Sequence, residues 1–110
     1  MGYIRHHGMM LTCWDEKQLR AAHAKALDLM LIVSEVSKGV VNSYESFAVF
    51  PDGSKEGWDT SDEFDQKRDR FVEFLRSDPS VRRVDWVEFT VGDENGPDSI
   101  LRQRGEEDDT

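Results

Sequence analysis

Residues 15–33, DEKQLRAAHAKALDLMLIV, place Leu19, Ala22, His23, Ala26, Leu27, Met30 and Val33 at three- and four-residue steps. That spacing makes one apolar stripe along a helix, and a stripe has to be covered by a second layer. Asp15 stands ready as N-cap, and Asp15 with Glu16 meets the positive end of the helix dipole. Gly39 offers a stop.

The flanking segments read differently. Residues 3–14, YIRHHGMMLTCW, contain no Pro and predict a strand. Residues 40–50, VVNSYESFAVF, are rich in Val, Phe and Tyr and predict another. PDGS puts Pro51 and Gly53 in turn positions, and KEGWD reads as a short return strand. Thr60 and Glu63 are spaced as a capping box for a second helix over 61–77. Phe64, Phe71, Val72 and Leu75 would be its buried stripe, and Pro79 would end it.

VDWVEFTV, 84–91, alternates as a last strand, with Val87, Phe89 and Val91 expected toward the helices and Trp86, Glu88 and Thr90 away. SILR offers a short edge strand.

The order β-α-β-β-α-β predicts an α+β, ferredoxin-like fold, an antiparallel sheet with both helices on one face. One domain is expected over 1–102, with 103–110 as a disordered acidic tail.

Composition narrows the function. Three Trp, six Phe and two Tyr supply burial in a chain that is otherwise polar. The lone Cys13 cannot form an internal disulfide, which excludes a disulfide-stapled domain. No apolar run approaches the ~20 residues of a membrane span, and MGYIRHHGMM lacks the apolar core of a signal peptide. A cytoplasmic protein is expected.

The net charge of −9 is unevenly placed. Residues 51–66 carry six acids and one base, and 92–110 carry seven acids and two bases. Direct nucleic-acid binding is disfavoured, because phosphate contacts need a basic stripe. A basic protein surface is the partner that such charge suits.

Asp52, Ser54, Glu56, Gly57 and Glu63 match the spacing of a calcium-binding EF-hand loop. The context does not match, since the incoming segment is strand-like and Asp59 stands where an aliphatic residue is usual. No phosphate-cradling, HExxH or CxxC motif occurs, so neither cofactor nor metal is expected. His6 and His7, adjacent on a strand, would point to opposite faces. His23 reads as a packed histidine with one hydrogen bond, Cys13 as a small buried residue, and Glu45 as an exposed strand acid.

The predicted topology brings the start of the second helix to the exit of the last strand. Asp59, Asp62, Glu63, Asp65, Asp93 and Glu94 would then form one negative, partner-binding end. Acids at a helix N-terminus are stabilising in themselves, which accounts for Asp62, Glu63 and Asp65 but not for Asp93 and Glu94. A second candidate site is the open sheet face, where Trp86 and His6, with Arg5 and Arg82, would hold a nucleotide-like small ligand or a second copy of the chain. A histidine-dependent hydrolase is a third reading, which His6 or His23 lining a cleft beside an acid would support.

SYESFAVFPDGSKEGWDTSDEFDQKRDRFVEFLRS, followed by VDWVEFTVGDENG, resembles small phage- and prophage-encoded proteins without assigned function. The resemblance spans about Arg5 to Arg102, and PDGSKEGW is its most recognisable piece. It implies a bacterial cytoplasm and a host protein as partner, with no catalytic residue to transfer. The expectation is a small acidic, non-enzymatic interaction protein.

Overall fold

The computed structural model describes residues 5–92 and 97–105. The elements are β1 (His6–Cys13), α1 (Glu16–Asp28), β2 (Ser37–Lys38), β3 (Glu45–Val49), α2 (Asp59–Ser77), a 3-10 turn (Pro79–Val81), β4 (Asp85–Val91) and β5 (Ser99–Gln103). Among the described residues no helix is long and apolar enough to cross a membrane.

The sheet is antiparallel with five strands in the order β2-β3-β1-β4-β5. The α+β class with two helices is as expected, but the ferredoxin-like βαββαβ order is not. KEGWD forms no strand; the edge strand expected at SILR forms as β5, and a further short strand at 37–38 completes the other edge of the sheet. The physical reason lies in the loop. Gly53 and Gly57 sit at φ 83° and 90°, left-handed conformations outside the extended region of a regular strand. Glu56 between them turns inward rather than along an edge, accepting from Ser61 Oγ at 2.9 Å.

Asp15 caps α1, accepting from the Lys17 and Gln18 amides. The helix stops at Asp28, earlier than the stripe predicts. Met30 takes φ 62°, its amide bonds Leu27 O at 2.9 Å, and the Leu31 amide bonds Ala26 O at 3.2 Å. This is a Schellman closure, with methionine in the position that usually holds glycine. Leu31 turns back into the core, while Leu27 and Met30 stay exposed. α2 starts at Asp59 behind Trp58, which makes no side-chain cap, so Thr60 is inside the first turn and not the cap.

Met9, Leu11 and Cys13 from β1 join Phe47, Val49 and Trp86 in one core with Leu19, Ala22, Ala26, Phe71, Val72 and Leu75. Both helices therefore cover the same face. The register fixes which face of β4 is inside. Leu11 opposes Trp86, Met9 opposes Glu88 and His7 opposes Thr90. Directly opposite residues share a face, so Trp86, Glu88 and Thr90 look inward and Val87, Phe89 and Val91 outward. This is the reverse of the phase that the alternation predicts. Trp86 lies beneath Arg76 and Arg104, whose guanidinium carbons sit 5.6 and 6.0 Å from its ring.

The open face carries His6, Gly8, Met10, Val87, Phe89, Val91 and Ile100. A Cβ on Gly8 would stand 2.9 Å from Phe89 Cζ, so glycine there lets the ring lie across β1. The segment expected as a tail from 103 contributes Gln103 to β5. Arg104 then donates to the Val81 and Val84 carbonyls at 2.9 Å. Residues 106–110 lie outside the described ones.

Candidate functional site

α2 returns from β3 to β4 across β1, so its N-terminus and the end of β4 share one end of the sheet. Contacts at that end show it. Glu56, just ahead of α2, reaches His7 at 3.4 Å, His7 pairs with Thr90, and His6 pairs with Val91. Asp59, Asp62 and Glu63 are exposed there on the first turns of α2. Asp65 is half-buried and turned toward Arg68. Asp93 and Glu94 lie outside the described residues.

Behind this acidic end a cleft of 460 Å³ opens between α2, the loop ahead of it and β5, lined by Arg5, His7, Glu56, Asp65, Arg68, Asp69, Glu88, Leu101 and Arg102. Its floor is ionic. Arg68 Nε lies 3.3 Å from Glu88 with both side chains 2% exposed, and Arg102 Nε bonds the other Glu88 oxygen at 2.6 Å. Arg68 also pairs with Asp65, and Arg102 Nη1 with Asp69 at 2.9 Å. Charges this deep are tolerated only when paired and hydrogen-bonded.

The local reasons are readable. Arg68 is four residues after Phe64 and four before Val72, on the buried stripe of α2, so helical geometry carries it inward. Glu88 sits between Trp86 and Thr90 on the inward face of β4. A bulge between Glu88 and Phe89, where β5 pairs, brings Arg102 opposite Glu88.

The surroundings tune two of these groups. Burial pushes the Asp65 carboxyl above its ordinary range, against the Arg68 guanidinium, which pulls it down. Burial works against the charge on Arg102, but Glu88 and Asp69 overcome it and raise its pKa.

The histidines divide as adjacent strand residues must. His6 is on the open face beside Gly92, where a Cβ would lie 3.0 Å from its Cδ2. His23 Nε2 bonds Ser34 O at 2.8 Å, and its ring meets Phe47 edge-on. Neither lines a cleft beside an acid; His7 does. Yet Glu56 stands between His7 and Ser61, touching both. A carboxylate in the middle accepts from imidazole and hydroxyl alike, so the imidazole does not reach the hydroxyl as a general base must.

The small-ligand set Arg5, His6, Arg82 and Trp86 does not converge. Arg5 lines the cleft, His6 is on the opposite face, and Trp86 is 4% exposed beneath the helices. Arg82 precedes β4, at the far end of that strand from the His6–Val91 pair. Glu45 is buried rather than exposed and pairs with Arg20 Nη2 at 3.1 Å. In the acidic loop Ser54 donates to Asp52, while Glu56 turns to His7 and Ser61, so the EF-hand positions do not face one point. Among the described residues no group of His, Cys, Asp and Glu is arranged to hold a metal ion.

No protein-family model, curated protein or solved structure matches the chain. The site is therefore read from its own chemistry.

Proposed function

We propose that this protein is a small, non-enzymatic interaction protein that engages a basic surface of another protein through its acidic end. The observation that carries the reading is the way charge is sorted there. The outward groups are the carboxylates of Asp59, Asp62 and Glu63, while Arg68 and Arg102 are held inward in ion pairs. A basic partner meets these outward carboxylates, of which Glu63 is paired with Lys67 at 3.8 Å, whereas a nucleic acid meets repulsion. The placement of Glu56 between His7 and Ser61 supports binding over catalysis.

The partner is a host protein in a bacterial cytoplasm, a context supported by the resemblance of residues 43–77 and 84–96 to phage-encoded proteins. Association is fast and salt-sensitive, because rim charges act through long-range steering. Capture from a bacterial lysate at low salt, followed by a high-salt wash, tests this. A partner retained at low salt and released at high salt is expected. Its loss on charge reversal of Asp59 and Asp62 is also expected. A partner that survives both treatments overturns the reading.

A further inference from the structure

Both helices cover one face of the sheet, and no element of the described chain covers the other. The register fixes what that open face presents. Met10 opposes Ala48 on β3 and Val87 on β4, and Phe89 opposes Ile100 on β5. Met10 is 53% exposed, Ile100 57% and Val91 39%. Gly8 keeps the surface level, because Phe89 lies over it where a larger residue would lift the ring. Among the described outward strand positions Asp85 alone carries a fixed charge, and it stands on the rim as the first residue of β4.

Such neutrality stands out in a chain of which 34% is charged. The cores of protein interfaces carry the same signature, depleted of charge and enriched in aromatic residues and methionine. Charge also points to the occupant. A basic partner gains nothing from a face without carboxylates. A second copy carries the same net charge of −9 and is repelled wherever acids meet acids. It can approach closely only where the carboxylates are missing.

The size of the face agrees. Five rows about 4.8 Å apart, with the eight residues of β1 rising about 3.3 Å each, give roughly 24 by 26 Å. β2 is short, but Val33 bridges Val49 and extends its row. Two such faces, counted as flat, hide about 1,200 Å² in total, the lower end of specific interfaces. Sheets stack in this way about 10 Å apart, with their strands within about 30° of each other.

We propose that the open sheet face is a homodimer interface, on which two copies stack about a two-fold axis with Met10 and Phe89 near its centre. The inference goes beyond the acidic-end reading and does not depend on it. A two-fold particle carries two acidic ends, so a partner with two basic patches is held more tightly than by one chain.

Sedimentation equilibrium up to about 0.5 mM protein, with amide-NMR dilution beside it, tests the proposal. A reversible dimer of micromolar affinity is expected for an interface at the small end of the range. Met10→Glu and Ile100→Glu change side chains that are more than half exposed, so each variant keeps the fold, which circular dichroism checks. Each is expected to weaken the dimer by about tenfold or more, because stacking would bury an unpaired carboxylate. Leu27→Glu, at an equally exposed position on α1 in the other layer, is expected to leave the dimer unchanged. On dilution the amides of Met10, Val87 and Phe89 are expected to shift while those of α1 stay still. High salt is expected to preserve or tighten the dimer, since it screens acid from acid.

A protein that stays monomeric overturns the proposal and leaves the face to another occupant, such as residues 1–4 or an unlike protein. A dimer that Ile100→Glu disrupts and Met10→Glu does not is paired through the β5 edge, which also overturns it. So does a dimer that high salt dissolves. Release of a host protein by salt and persistence of the dimer in salt are read separately, so the failure of either reading leaves the other standing.

Discussion

Arg68 and Glu88 meet inside the fold, Nε to carboxylate at 3.3 Å, tying the middle of α2 to the middle of β4. Neither charge has water to fall back on. Removing one partner leaves the other buried and under-compensated, which costs about 3–5 kcal/mol. Glu88→Leu is therefore expected to lower unfolding free energy in urea by that amount. The double variant Arg68→Met with Glu88→Leu is expected to recover most of it, since an apolar pair of similar volume replaces the ion pair. A loss from Glu88→Leu of less than about 1 kcal/mol, the range of surface pairs, would mean that the contact does not hold the helix.

Asp65 and Asp78 are expected to titrate on opposite sides of an ordinary aspartate. Burial raises Asp65, so its protonated form is favoured in the folded chain. Its contribution to stability turns unfavourable as pH rises from the unfolded value through the raised folded one. Asp78 accepts from the Ser80 hydroxyl at 2.6 Å and the Ser80 amide at 2.8 Å, and both lower its pKa. Its contribution is present above the unfolded pKa and is lost as pH falls through the lowered folded value. Carboxyl-carbon NMR titration checks both directions. The stability gap between the protein and Asp78→Ala is expected to narrow as pH falls through the Asp78 midpoint.

Met30 closes α1 from the left-handed region, where a side chain other than glycine's is strained by about 1–2 kcal/mol. Its side chain is exposed and contributes little packing. Met30→Gly is expected to stabilise the fold by about 1 kcal/mol, after the extra backbone entropy of glycine in the unfolded chain is set against the relief. Thermal melting would show a rise of roughly 4 °C. A fall in melting temperature would mean that Met30 packs in solution.

Cys13 lies in the core with its Sγ 3.4 Å from Arg83 O, and burial raises its thiol pKa. Thiolate is the reactive form, so alkylation of the native protein at neutral pH is expected to be slow and to track global unfolding. Rapid labelling without loss of structure would contradict the burial.

What the sequence made readable depended on whether apolar spacing decided the matter. The strip Leu19, Ala22, Ala26 and the strip Phe71, Val72, Leu75 place both helices, and the turn chemistry around Asp15 and Pro79 sets a start and an end. The phase of β4 was not readable from hydrophobicity, because both faces carry large apolar residues: Trp86 on one, Val87, Phe89 and Val91 on the other. The decisive constraint is the pairing with β1, which is non-local. The ionic floor was missed for a related reason. Arg68 falls at a stripe position by helical spacing, and Glu88 at alternate positions from Trp86 and Thr90. Two opposite charges at inward positions are the signature of a buried pair, but each alone reads as a surface residue. The edge strand expected at SILR does form, as β5, but the pairing of its Arg102 with buried Glu88 was not legible, because the β4 phase expected from alternation puts Glu88 on the other face.

The central strand of the sheet, β1, precedes both of its neighbours in sequence. During synthesis it leaves the ribosome with no partner available. Its β3 side can be filled once residue 49 has emerged, but its β4 side stays bare until residue 91 has followed. The apolar row of Met9 and Leu11 is then the segment of the nascent polypeptide most in need of a chaperone.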